Sequence, residues 1–470
     1  MPFQPVILLT DALFFFLTIC LIAFILFARK REHISRPWKK VFKRTTGVVS
    51  LVVLVTYYSI AILDSLHFHP RLDQSNDSQY QYSNEILSVL DVIMTPMRTQ
   101  VEKTFSSPLA THLLSKEMVQ QADGSMQQVY PALKYGGAHL EDPATEKRAD
   151  IIGLSIKGLI IAFVFWSILW AAIAILYARN KCVSIAAALG IIFSGKAEYP
   201  LRSIAITIGI IIAIIAVSMI LGSHYHLFGT DKVGQDVFYQ AIKSIRTGIL
   251  IGTLTTIVML PVAITLGAMA GYFKGWVDDV IQYLYTTLNS IPGVLLIAAS
   301  ILLVQIYMSN HADDFNSLIE RADVRLLFLC LILGITSWTG LCRLLRAETF
   351  KLREMEYIQA ATAFGVTKFR ILTRHIMPNF MHIVLITVAL DFSGLVLAEA
   401  VLSYINIGVD PATNSWGNMI NQARLEMARE PVVWWSLTAA FVFMFTLVLF
   451  ANLFADVVRD ALDPRVTGAE

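Results

Sequence analysis

Several residue clusters in this chain of 470 residues have the types and spacing that chemistry requires. The run Gly190-Ile191-Ile192-Phe193-Ser194-Gly195-Lys196 fits the opening of a P-loop, in which backbone amides and the lysine cradle phosphates. The next residue is Ala197, so the hydroxyl that would hold magnesium is missing, and no strand-loop-helix context surrounds the run. It reads instead as the end of a short apolar cytoplasmic helix, Cys182 to Phe193, and ATP binding by this chain is rejected. Two histidine pairs, His67-Phe68-His69 and His224-Tyr225-His226, have an alternate spacing that can chelate nickel or zinc, although His beside aromatics is also ordinary at a membrane surface. Asp391 and Glu399 lie inside a long apolar run. A charge at the bilayer centre costs about 2.5–3.5 kcal/mol on insertion scales, so such acids mark a substrate or proton path, or else pair with a neighbouring helix. They stand about 80° apart around a helix and need not share one surface. Gln282, Thr286, Asn289 and Ser290 form a polar stripe at helical spacing, with Pro292-Gly293 breaking the helix just beyond. In lipid such a stripe has to line a pathway or join helices.

Only membrane-spanning helices can position these groups. The chain is 56% apolar and 15% charged, and its charges sit between long uncharged runs. Runs of about 20 apolar residues match the hydrocarbon thickness, and the lack of water there forces them to be helices. A net charge of +2 suggests neither nucleic acid nor acidic partners. Cys20, Cys182, Cys330 and Cys342 have no ligand spacing and read as small packing residues.

Nine spans are expected: Pro5 to Phe27, Thr46 to Leu63, Ile151 to Tyr177, Ser203 to Leu221, Thr247 to Tyr272, Val280 to Tyr307, Arg325 to Leu341, His375 to Leu402 and Val432 to Leu453. The first is too long, and lacks the basic leader, for a cleaved signal peptide. Arg29 to Arg44 is strongly basic, which makes that loop cytoplasmic, the amino terminus external and the carboxy terminus cytoplasmic. The basic loop Arg343 to Arg374 then falls inside and the acid-rich His311 to Asp323 outside, in agreement. The segments are 1–63, two spans with the basic loop; 64–150, an external insertion; 151–202, a third span and linker; and 203–470, a six-span part. Within the insertion, Ile86 to Met97 is apolar-periodic and reads as a helix on the membrane surface or against the spans.

The cytoplasmic loop 343–378 carries the clearest pattern. Tyr357, Ala360, Ala361 and Phe364 recur at three- and four-residue steps, one face of a helix that Gly365 can end in a left-handed turn. Thr367 to Ile376 reads as a second short helix, with Pro378 at the start of the next span. Aromatics flanking two alanines suit a helix that lies in a groove of another protein, or else a connector that packs against its own spans.

The run Glu356-Tyr357-Ile358-Gln359-Ala360-Ala361, then Gly365, then His375-Ile376-Met377-Pro378-Asn379, resembles the EAA loop of binding-protein-dependent ABC importer permeases, with Gln359 where Glu is usual and Met377 where Leu is usual. Gly229-Thr230-Asp231-Lys232-Val233-Gly234-Gln235-Asp236 is similar to the external GTDxxGRD motif of the C-type subunit of dipeptide and oligopeptide importers, with Gln235 replacing Arg. Ala270 to Trp276, Ser415 to Met419 and Asp456 to Arg465 also look like that branch, so the resemblance runs from about Ser203 to Arg465. It implies an all-α integral membrane protein, a six-span ABC type I importer core preceded by about three extra spans and the insertion. The implied function is a permease subunit of a bacterial inner-membrane importer, most simply for di- or oligopeptides, performing no covalent chemistry. The implied partners are a second, homologous permease, two cytoplasmic ATPase subunits that carry ATP and Mg, a periplasmic substrate-binding protein and membrane lipid. No cofactor is expected on this chain. The loop would be the coupling helix. Alternatives are a nickel or other small-solute permease of the same type, and a proton-coupled carrier using Asp391 and Glu399; a channel or scaffold has no use for a motor-docking helix.

Overall fold

The computed structural model describes residues 3–71, 82–120, 126–181, 184–194, 199–311 and 317–462. The first third holds β1 (Phe3–Val6), α1 (Leu9–Arg29), α2 (Glu32–Lys43), α3 (Thr45–Ser65), β2 (His67–Pro70), β3 (Leu87–Ser88), α4 (Val89–Ile93), α5 (Thr95–Thr99), β4 (Glu117–Gln120) and β5 (Met126–Val129). Then come α6 (Pro143–Lys181), α7 (Ile185–Ser194), α8 (Leu201–Gly222), α9 (Val237–Phe273), α10 (Trp276–Ser290), α11 (Gly293–Asn310) and α12 (Leu318–Arg353). Last are α13 (Glu356–Ala363), α14 (Lys368–Ile371), a π turn (Leu372–Ile376), α15 (Met377–Tyr404), α16 (Trp416–Glu426) and α17 (Trp435–Leu462).

Among the described residues nine helical stretches are long and apolar enough to cross a bilayer: α1, α3, α6, α8, α9, α11, α12, the continuous run 368–404 and α17. The sixth differs from expectation. Pro292 pushes Ile291 into an extended conformation (φ −88°, ψ 129°), so the expected span Val280 to Tyr307 is broken, and only α11 qualifies as a crossing helix. The polar stripe lies on the separate α10, which opens with Asp278 and Asp279.

The chain forms two compact units. One comprises residues 3–6, 38–247 and 414–453. In it α6 lies along α8 so closely that a Cβ on Gly158 would stand 2.9 Å from Val217 Cα. The Trp166 indole donates to the Ala205 carbonyl at 2.9 Å, and α7 closes the pair through Ile192 against Trp170, Ala174 and Ala205. The all-helical expectation holds for the spans, while the described residues outside them also form five short strands. β1, β2 and β3 form an antiparallel sheet, Phe3 opposite Pro70 and His67 opposite Ser88, and β4 pairs with β5. The expected helix Ile86 to Met97 is divided, because Ser88 caps α4 in a capping box with Asp91 and Pro96 opens α5. It packs on the spans, with Leu90, Met94 and Met97 against Ile60, Leu63, Met219 and Phe238. Asp91 accepts from Lys243 at 2.7 Å and from Tyr239 at 2.6 Å, which gives the buried acid partners at the foot of the insertion.

The other unit comprises residues 7–37, 248–413 and 454–462. The first expected span belongs here rather than with the second. Asp323 of α12 accepts from the Thr10 amide at 3.0 Å and from its hydroxyl, a bond that only a helix packed on α12 can satisfy once both residues are buried. Helices α9 and α12 meet at small residues: a Cβ on Gly267 would lie 2.9 Å from the Cys342 carbonyl, and one on Gly334 2.5 Å from Val258 Cβ.

Gly158→Leu is expected to lower the thermal stability of the purified chain in detergent by about 1–3 kcal/mol through overpacking, whereas Gly153→Leu on the same helix, with nothing within 4 Å of its added Cβ, should melt as the unaltered chain does.

Candidate functional site

The loop between α12 and α15 is built from both sides of one short helix. Ile358 of α13 is buried among Tyr272, Leu352, Ile371 and Ile376, and this anchors the helix from within. The opposite side carries Tyr357, Ala360 and Phe364, of which Phe364 is 88% exposed. Ala361, expected on that exposed face, is instead half-buried against the inner cluster, because it lies close to Ile358 around the helix. The helix closes as expected from Gly365, at φ +75°. The Gly365 amide donates to Thr362 at 3.0 Å and the Val366 amide to Ala361 at 3.1 Å, the two bonds of a Schellman motif.

Glu356 is exposed, and the Gln359 amide donates to the Glu354 carbonyl at 3.1 Å. A glutamate there, lacking a donor, could not make that bond. Beside α13 opens a cavity of about 530 Å³ lined by Tyr272, Phe273, Arg353, Ile358, Thr362 and Lys368 among others. Arg353 donates to the Tyr272 carbonyl at 2.7 Å, tying the end of α12 to the end of α9.

The expected second helix is not separate. From Lys368 the chain is helical to Tyr404, widened into a π turn just ahead of Pro378. Proline has no N–H to give and its ring crowds the preceding turn, so the widening spares a clash. Asn379 donates to the His375 carbonyl at 2.7 Å and to the Tyr357 hydroxyl at 2.9 Å, binding the span to the exposed helix.

The polar positions are spread over two elements. On α10, Gln282 donates to Asp278 at 3.1 Å, and Asp278 receives Arg346 of α12 through two bonds of 2.5 and 2.7 Å. Arg346 holds the Asp278 carboxyl below the usual range. Asn289 accepts from Thr339 at 3.1 Å, Ser290 bonds its own helix at Thr287, and Thr286 is exposed. On α15, Asp391 is half-buried, while Glu399 is 1% exposed and accepts from Ser403 at 2.7 Å, inside the turn that ends the helix. The two acids therefore sit in unlike surroundings.

In the Gly229–Asp236 motif, Gly229 and Gly234 take positive φ (65° and 78°), and Gly229, Thr230, Asp231, Gly234 and Asp236 are all buried. Asp231 accepts from the amides of Val233 and Gln235 and from the Gln240 side chain; burial raises its carboxyl above the ordinary value despite those donors. Trp435 donates to the Thr230 carbonyl at 3.0 Å. Ser415 caps α16 and Trp416 donates to the Ala241 carbonyl at 3.0 Å, so this motif too is a packing device. Positions 463–465 of the last motif lie outside the described residues.

Gly190 to Ser194 are helical within α7, while Gly195, Lys196 and Ala197 lie outside the described residues, as does Cys182. Among the described residues no group of three or more His, Cys, Asp or Glu is disposed to hold a metal ion. In the second histidine pair, His226 faces Asp236 at 2.8 Å rather than a shared ligand position with His224. Sequence reasoning named Ile358 only within the quoted run and did not single out Arg346 or Arg353, whose partners Asp278 and Tyr272 lie on other helices.

These features define a multi-span helical membrane protein with an exposed aromatic-bearing loop between α12 and α15. Residues 263–468 match the family described as binding-protein-dependent transport system inner membrane component. The chain is 34% identical over 239 residues to an oligopeptide transport system permease protein of Mycobacterium bovis, which covers 51% of this chain and 76% of the relative. It is 30% identical over 241 residues to the Haemophilus influenzae oligopeptide permease protein, 51% of this chain and 71% of the relative. A glutathione transport system permease protein of Pectobacterium atrosepticum is 30% identical over 246 residues, 52% and 74%. The chain belongs to the family of binding-protein-dependent inner-membrane transport components. It is a transport subunit and not an enzyme.

Gly365→Ala is expected to cost about 1–2 kcal/mol locally, since only glycine enters the left-handed region freely, and to speed trypsin cleavage at Lys368 and Arg370; Gly365→Asn should cleave nearly as slowly as the unaltered chain.

Proposed function

We propose that the chain is a translocating subunit of an ATP-driven importer of di- or oligopeptides in a bacterial inner membrane. The observation that carries this is the exposed pair Tyr357 and Phe364 on a helix whose other side is anchored by Ile358. An aromatic side chain 88% exposed at the tip of an otherwise packed loop is suited to a pocket on a partner. The partner is a cytoplasmic ATPase subunit carrying ATP and Mg. Glu356, Tyr357, Gln359, Ala360, Ala361, Phe364, Gly365 and Pro378 form and support the contact. A second, homologous permease completes the pathway, and an extracytoplasmic binding protein delivers substrate. The peptide cargo is supported by the relatives named for oligopeptide and glutathione transport.

The amino terminus is external and the carboxy terminus cytoplasmic, an orientation supported by the exposed Lys39, Lys40, Lys43 and Arg44 after α1. The segment 203–470 is the importer core, 64–150 a periplasmic insertion, and the preceding spans an addition to the core. Gln282, Thr286, Asn289, Ser290 and Asp391 are candidates for the pathway. Glu399, enclosed by its bond to Ser403, supports the end of α15 beside it.

Phe364→Ala is expected to weaken co-purification of the ATPase about 10- to 30-fold, and Ala360→Glu to abolish it, with membrane insertion intact in both. Retained capture and peptide uptake in both variants would remove the coupling role. A cysteine at Thr286 should react with an aqueous thiol reagent in at least one nucleotide state, and protection in every state would take it off the pathway.

A further inference from the structure

Residues 102–106 of the insertion are bonded edge to edge with the Gly229–Asp236 loop. The Glu102 amide donates to Gly234 at 2.9 Å, the Thr230 amide to Ser106 at 3.1 Å, and the Ser106 amide to the Thr230 hydroxyl at 2.7 Å. A Cβ on Gly229 or Gly234 would collide with the Ser106 or Glu102 carbonyl, so glycine is required by this contact as well as by its φ. At the centre lies His226, 1% exposed. Its Nδ1 is 2.8 Å from Asp236 Oδ2 and its Nε2 3.5 Å from Glu102 Oε1, the latter an ion-pair contact too long for a good hydrogen bond. Each carboxylate has a further task. Glu102 accepts the amides of Lys134, Tyr135 and Gly136 at 2.9, 2.8 and 3.1 Å, gathering the far end of the insertion. Asp236 accepts the Tyr239 amide at 2.9 Å and so caps the first turn of α9.

A neutral imidazole has one N–H and one lone pair, so one of the two acids would face a lone pair; only the imidazolium offers a donor to both. We propose that His226 is a positioning residue held as the imidazolium, pinning the insertion to the cap of α9, and that transport requires this pin closed. The part concerning transport rests on the permease reading above. Burial alone would lower the His226 pKa, but the Asp236 and Glu102 carboxylates overcome it and hold it at about 9. For Glu102 the burial cost is likewise outweighed by His226 and the three amides, and its carboxyl falls to about 2. Because the histidine value is raised from 6.5, its contribution is complete below about 6.5, declines as pH rises and is lost above about 9. The helix so capped is 37 residues long, and its last two, Tyr272 and Phe273, line the cavity beside α13. What holds its first turn therefore holds the start of a helix long and apolar enough to cross the membrane.

The test follows protease cleavage within residues 102–137 of the full chain in lipid nanodiscs, from about pH 6 to about pH 10. The unaltered chain should be protected at the acid end and cleaved once pH passes about 9. Glu102→Gln, which leaves one acid to hold the proton, should move that onset down by about one pH unit, and His226→Gln should be cleaved at all pH values. Reconstituted with ATPase subunits and binding protein, the His226→Gln chain should take up a labelled tripeptide at least about 10-fold more slowly. A wild-type profile flat through pH 9, or the same onset in wild type and Glu102→Gln, overturns the pin even if His226→Gln fails to insert. Normal uptake by an unpinned chain overturns its role in transport. If the unaltered assembly takes up no peptide, the permease reading fails, while cleavage still decides the pin.

Discussion

A backbone amide inside a bilayer can bond only to its own chain, and a charge there only to a neighbouring side chain. The architecture follows from that constraint. The spans are helices with few interruptions, and the interruptions fall where a proline removes a donor. Pro292 separates α10 from α11, and Pro378 follows a π turn whose His375 carbonyl is taken up by Asn379. The described strands occur outside the spans, where water can serve their open edges. The acids that are buried have donors in place: Asp323 has Thr10, Asp91 has Lys243 and Tyr239, Asp278 has Arg346.

Within each unit the helices are held by close approach more than by apolar area, since lipid is as apolar as leucine. Gly158 against Val217, Gly267 against Cys342 and Gly334 against Val258 let backbones come near enough for dispersion to act. Trp416 and Trp435 bury their indoles and Trp166 half-buries its own, and each spends its N–H on a backbone carbonyl of another element, which fixes register as well as filling space.

The exposed loop uses the same materials to a different end. Ile358 is drawn inward, and the Schellman closure at Gly365 stops the helix before it can run on. Phe364 and Tyr357 are left outward, and the Tyr357 hydroxyl is joined through Asn379 to the base of α15. The exposed face of the short helix is thus joined to the span by one hydrogen bond, and its inner face by packing.

The spans other than the sixth, a proline break after Ser290, the helix after Met355 and its end at Gly365 were legible in the sequence, because hydropathy and helical period are local consequences of lipid, water and one chain direction. The family motifs were legible for the same reason, since each is a continuous stretch. What the motifs do was not. The Gly229–Asp236 loop is closed by Glu102 and Ser106, His226 pairs with acids rather than with His224, Glu399 is enclosed rather than open, and α1 belongs with α12 through Asp323. All but the Glu399–Ser403 bond involve residues far apart in the chain, and a local pattern records only whether a side chain is buried. Which distant partner satisfies a buried polar group is decided by the packing that brings the two together.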